Sequence, residues 1–412
     1  LLSLFSVCFS LLNSYINPHE IHHSNSHINS SDSKKFLQFQ FSFPFPSRFR
    51  LQIHQPLLLP MLSPPLLVTI TLFFSLPFIF FFAPQILPPA PFTFTISDDL
   101  DDLALLTRAS RAAHSVSTTS HLGTINPKPK IAFLFLTNTN LSFAPLWEKF
   151  FQGNRDLFNI YIHSDPSVHI TPPGGVFSDR FIPSKKTFRS SPSLIAAARR
   201  LLANALIDDP MNQYFALVSQ HCIPLHSFRF MYRSLFGNEL TILTSFAFSQ
   251  SNYKSFIEIL ADEPNLYDRY VGRGEHAMLP EVTFDEFRVG SQFFVLIRRH
   301  AVSVVRERRL WKKFRLPCVT EEPCYPEEHY FPTFLSMEDP NGCNGFTLTR
   351  VNWTGCWDGH PRLYTAPEVS RKLVFELRQS NFSGYDYMFA RKFSPESLAP
   401  LMDIADDVIF RD

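Results

Sequence analysis

The chain has 412 residues, enough for two or three domains, and its charge is nearly balanced at 38 Lys and Arg against 37 Asp and Glu. That balance removes the electrostatic reason to expect a nucleic-acid partner. Phe (45) and Pro (33) are abundant and crowd the first hundred residues, so the average composition hides two different regions.

Residues 1–60 are rich in Ser, Phe, His and Asn without periodicity, and the first Met is Met61. They read as a disordered tail or as a gene-model artefact with Met61 as the natural start. Leu66–Ala83, LLVTITLFFSLPFIFFFA, is an uncharged run at the lower limit for spanning a bilayer, and Pro77 is tolerated inside a membrane helix. We expect a transmembrane signal anchor over 61–83, with a cleaved signal peptide as the alternative. Lys34, Lys35, Arg48 and Arg50 ahead of the span favour a cytoplasmic N-terminus and a lumenal body. Residues 84–127 are rich in Pro, Ser and Thr and read as a stem, with a short helix around Asp98–His114.

The body, 128–412, opens on strand-like Lys130–Leu136. A helix follows around Leu146–Phe151, then a strand at Phe158–His163. A strong helix at Ser193–Ile207 leads to a strand at Tyr214–Ser219 and a helix at Ser227–Phe236. Alternating strands and helices predict an α/β domain with a central, mostly parallel sheet, and ligands beyond the carboxyl ends of its strands. Asp165 and Gln220-His221 fall at such ends. Later, Phe287–Leu296 and His300–Lys313 read as a strand feeding a basic helix.

The run Glu321–Phe334, EEPCYPEEHYFPTF, sets Glu327, Glu328 and His329 among aromatics. Desolvation there would raise a carboxyl pKa toward the range of a general base. Pro326 and Pro332 argue against a continuous helix and for a fixed turn. Five cysteines follow the span, so an oxidising compartment allows one or two bridges and leaves at least one thiol free. Sequons at Asn140, Asn352 and Asn381 are compatible with a secretory body. No spacing points to structural zinc.

The ordered blocks FNIYIHSDPS, YFALVSQHCIPL, SFIEILADEPNLYDRY, FRVGSQFFVLIRRHAV, YPEEHYFPTF and FARKF resemble the plant branch of the core-2/I-branching N-acetylglucosaminyltransferase family, glycosyltransferase family 14. The likeness covers about Lys130 to Phe393. It implies a GT-A-like nucleotide-sugar-binding fold and type II Golgi membrane topology. It also implies inverting transfer, N-acetylglucosamine first among donors, from a UDP-sugar to a glycan or glycoprotein acceptor, with no metal and no other cofactor. His163-Ser164-Asp165-Pro166 stands where metal-dependent relatives of the fold carry Asp-x-Asp.

By the same resemblance Glu328 is the catalytic base, and Arg362 and Lys392 hold the diphosphate, with Arg391 a neighbour of Lys392. Asp165 lies on the uridine side, and Glu258 and Trp353 face the acceptor. Ser219 is a weaker candidate near donor and acceptor. Glu327 is expected to be a supporting or solvated neighbour, and Arg269 and Arg273 a basic surface loop. The cysteine pattern of the animal enzymes is not reproduced, and HCIPL after SQ leaves the acceptor chemistry open. A silent glycan-binding or scaffold protein is the alternative, against which Glu328, Arg362 and Lys392 stand together. A hydrolase using Glu327 and Glu328 is disfavoured, because adjacent side chains on an extended turn point apart while hydrolases need facing carboxyls.

Overall fold

The computed structural model describes residues 96–115, 128–237, 253–320, 324–356, 359–380 and 384–412. All lie within one compact unit, Leu87–Asp412. The expected anchor and the 1–60 segment lie outside the described residues. Among the described residues no helix is long and apolar enough to cross a membrane.

The main sheet has the order β2-β1-β3-β5. Strand β1 (Lys130–Thr137) lies parallel to β2 (Phe158–Ser164) and β3 (Asn212–Ser219), and β5 (Val295–Ile297) closes the edge antiparallel to β3. Its apolar run is buried on both faces, as a parallel strand between helical layers must be. Thr137 aligns with Ser164, and Leu136 with Ser219, so the three parallel strands end together. Helix α2 (Ala144–Phe151) packs Phe150 and Phe151 edge-on against Phe133, and Trp147 Nε1 donates to the Cys222 carbonyl at 3.1 Å. Helix α3 (Pro192–Asp208) starts where Ser191 caps the Ser193 N–H and Pro192 takes the first turn.

A second sheet, β4-β7-β6, joins β4 (Ile223–Pro224), β7 (Phe389–Arg391) and β6 (Thr349–Val351). Because β4 leaves the end of β3 after a three-residue turn, this sheet delivers the C-terminal FARKF segment to the mouth of the main sheet. The Phe393 N–H donates to the His221 carbonyl at 3.2 Å.

Three expectations change. The strand expected over Phe287–Leu296 is only Val295–Ile297, since Arg288 and Gly290 bond to a helix and Val289 makes a single bridge to Leu260. The basic helix splits into α6 (Arg298–Arg306) and α7 (Arg309–Phe314), with Glu307 between them capping the Leu310 and Trp311 N–H groups. The helix foreseen within the stem exists as α1 (Ile96–Ser115), but it is no free spacer: it buries Leu106 and Ala109 against the body.

Candidate active site

The EEHYFPTF run is helical, against the expected turn: α8 spans Pro326–Glu338. Pro326 sits in the first turn, where its missing N–H would have no partner anyway. Pro332 removes the bond that would close on the Glu328 carbonyl. That carbonyl accepts instead from the Gly290 N–H at 2.9 Å. Thr333 Oγ1 accepts from the Arg288 N–H at 3.0 Å, and His329 Nδ1 donates to the Arg288 carbonyl at 2.8 Å. Residues 288–290 are therefore laid along the start of α8. At Gly290 an added Cβ would stand 1.9 Å from the Glu258 carbonyl oxygen, so only glycine allows the three segments to meet.

The two glutamates face different surroundings. Glu327 is buried, 4% exposed; its Oε1 accepts from the Ser190 N–H at 3.1 Å, and its Oε2 has no hydrogen-bond partner among the described residues. Burial pushes its carboxyl up to about 8, with the neighbouring Glu328 charge adding and Arg273 opposing. Of the two expectations for Glu327, a supporting or a solvated neighbour, its burial removes the solvated one. Glu328 keeps about a quarter of its side chain exposed and pairs with Arg269 at 3.4 Å. Burial raises its pKa, while Arg269, Arg391 and Arg189 pull it back. A half-desolvated carboxylate tensioned by cations is a group able to take and hold a proton.

Arg269 and Arg273 do not form a surface loop. Arg269 ends α5 (Leu266–Val271), standing between Glu328 and the Tyr325 ring, 5.1 Å from its centroid. Arg273 is 5% exposed, lies 5.1 Å over the Phe314 ring, and its guanidinium nitrogens find no partner among the described residues. Gly272 between them explains the burial: a Cβ there would stand 2.9 Å from Cys324 Cβ. Cys324 is bridged to Cys318, and inside the loop this disulfide closes the Val319 N–H donates to the Gly272 carbonyl at 2.8 Å, which lays the entry of α8 against the end of α5. Cys222, Cys343 and Cys356 are free.

The predicted diphosphate cations are brought together by backbone pairing. The Tyr364 N–H donates to the Lys392 carbonyl at 2.8 Å, and the Lys392 N–H approaches the Arg362 carbonyl at 3.4 Å. Arg362 is half exposed and paired with Glu368 at 2.6 Å. Arg391 turns inward, 4.5 Å over the Phe293 ring, and its field reaches Glu328. Arg189, not singled out from the sequence, also acts on Glu328 and bonds His360 and the Gly359 carbonyl in the loop before Arg362. Base and cations thus lie on segments joined through Arg189 and Arg391.

Asp165 takes up local bonds. Oδ1 accepts from Ser167 N–H and Oγ at 2.8 and 2.5 Å, and Oδ2 from Thr187 N–H and Oγ1 at 2.9 and 3.2 Å. Burial pushes its pKa up, but these bonds outweigh that and hold it below the usual range. All four acceptor positions of the carboxylate are used inside the protein. Ser219 faces Cys222 Sγ at 3.3 Å. Glu258 is half-buried with its pKa raised by burial, and it acts electrostatically on Glu328. Trp353, 49% exposed, stands on the loop after β6.

A mostly parallel α/β sheet with a half-buried glutamate and several arginines gathered on the segments beside it is an arrangement able to take a proton and hold an anion. Residues 131–378 match the family model described as Core-2/I-Branching enzyme, and the chain belongs to that family. It is similar to "Glycosyltransferase BC10" of Oryza sativa subsp. japonica, at 26% identity over 330 residues, covering 67% of this chain and 76% of the relative. The protein is a glycosyltransferase.

Proposed function

We propose that the protein transfers a sugar, N-acetylglucosamine first among candidates, from a UDP-sugar to a glycan or glycoprotein acceptor by single inversion, without a divalent metal. The observation that carries this reading is Glu328: a partly exposed carboxylate, raised by burial, with Arg269 against it and Arg391 and Arg189 in its field. Glu328 takes the proton of the acceptor hydroxyl. The freed oxygen attacks the anomeric carbon opposite the diphosphate, the carbon–oxygen bond to UDP breaks, and UDP leaves with its charge. Arg362 and Lys392 meet that charge, as preorganised cations do for developing anions. Asp165 shapes the turn on the uridine side, and Glu258 and Trp353 receive the acceptor. The body, 128–412 together with the docked α1, would work in the Golgi lumen behind a 61–83 anchor, with the rest of 84–127 as the stem.

The test is UDP release by the purified protein with a panel of UDP-sugars and a mixed plant glycan acceptor pool in excess EDTA. Acceptor-dependent release from one donor is expected. Glu328→Gln should lower it by roughly 10²–10⁴-fold while leaving UDP affinity nearly unchanged. Release that requires added manganese would overturn the metal-free mechanism. A Glu328→Gln variant that keeps its activity would overturn the base.

A further inference from the structure

A cavity of about 230 Å³ opens between α1, α3 and the α6–α7 segment, and none of its lining residues belongs to the Glu328 cluster. Its walls are cationic beyond what their acids neutralise. Arg200 is paired with Asp102 at 2.6 Å and Arg315 with Asp99 at 2.5 Å, which uses both lining carboxylates. Arg199, Arg308 and Lys312 also line it. The nearby acid, Glu307, accepts from the Leu310 and Trp311 N–H groups and the Tyr330 hydroxyl, all neutral donors.

Arg199 is 2% exposed, gives one Nη to the Glu307 carbonyl, and leaves its Nε buried without a partner among the described residues. Arg308 beside it is held below the ordinary guanidinium range by burial and then by repulsion from Arg199, which outweigh the attraction of Glu307 and Asp102. A buried guanidinium beside a half-buried one that it repels leaves this wall with positive charge that an added anion would stabilise. The planar fork of Arg suits phosphate or sulfate oxygens, and the volume equals about eight waters at roughly 30 Å³ each, more than a bare oxyanion fills.

We infer that this seam binds a phosphate or sulfate group, free or as a monoester of a small sugar. The bound group sits on the α7 wall, held by Arg308 and Lys312. Arg199 also stands 5.9 Å from the centroid of the Tyr330 ring on α8, so the occupied seam braces the helix that carries Glu328.

The test is thermal unfolding of the full chain with inorganic phosphate, at constant ionic strength set by chloride and with UDP present at saturation to fill the donor site. A saturable rise in Tm is expected. It should vanish in the double variant Arg308→Gln/Lys312→Gln and weaken several-fold in Lys312→Gln, whose exposed side chain is not needed for folding. A monosaccharide 6-phosphate run in parallel identifies the source: tighter binding than inorganic phosphate means a sugar ester, equal binding the free ion. The inference is overturned if chloride alone produces the same rise, or if Lys312→Gln and the double variant both keep it in full. The comparison between variants holds whether or not UDP binds.

Discussion

Two adjacent glutamates become chemically different because a rotation of about 100° around the helix separates their surroundings. Glu327 faces Ser190 in the interior and Glu328 faces Arg269 at the surface of the site. The pKa of Glu327 is about 8 in the fold against 4.5 ordinarily. Between those values the folded chain holds a proton that the unfolded chain has released. Stability attributable to Glu327 is therefore fully present below about pH 4.5 and is lost as pH rises toward 8. Glu327→Gln keeps the acceptor for the Ser190 N–H but cannot ionise. Its urea-unfolding free energy should be flatter between pH 5 and 8 than the wild type's, whose fall is at most about 1.4 kcal/mol per pH unit. Identical slopes would mean that Glu327 is not protonated in the fold. Arg269 acts in the other direction on Glu328, where it is the strongest of the groups opposing burial. Arg269→Met should raise that pKa, moving the acidic limb of kcat/KM to higher pH. An unmoved limb would separate Arg269 from the base.

At the scale of elements, α8 shows what a sequence hides. Two prolines six residues apart argued for a turn, yet the first occupies the one helical position that wants no N–H. The second releases a carbonyl that a neighbouring segment takes. The donor is Gly290, far away in sequence, so local pattern could not supply it. The same holds for Arg269 and Arg273, which look like surface cations until Gly272 is seen against Cys324. The central strands and helices were legible because each carries its own burial pattern, and the Glu328 run because carboxylates and aromatics stand together. Gly290→Ala tests the junction. The added methyl would meet the Glu258 carbonyl and Pro332, forcing the base helix and the Glu258 segment apart. We expect a stability loss of about 1–3 kcal/mol by urea unfolding and a larger proportional fall in transfer than in UDP affinity. Unchanged transfer would show that Glu328 does not depend on this contact.

Across the whole molecule, two segments distant in sequence complete the α/β body. The small sheet carries Arg391 and Lys392 to the end of β3, and α1 closes the far side of α3. The docking of α1 rests on an apolar stripe, Leu106 and Ala109, flanked by acids of unequal worth. Asp102 meets Arg200 at 2.6 Å where the two side chains are 17% and 5% exposed. Asp101 meets Lys185 at 3.3 Å with 70% of its own side chain in solvent. Removing one partner of a buried pair strands the other charge, at a cost of about 3–5 kcal/mol, whereas an exposed pair is worth about 0–1 kcal/mol. Asp102→Ala should therefore lower the urea midpoint strongly and expose α1 to proteolysis, and Asp101→Ala should do neither. Equal and small effects from the two variants would assign the docking to the apolar stripe alone, and Leu106→Ala would then be the variant that releases the helix.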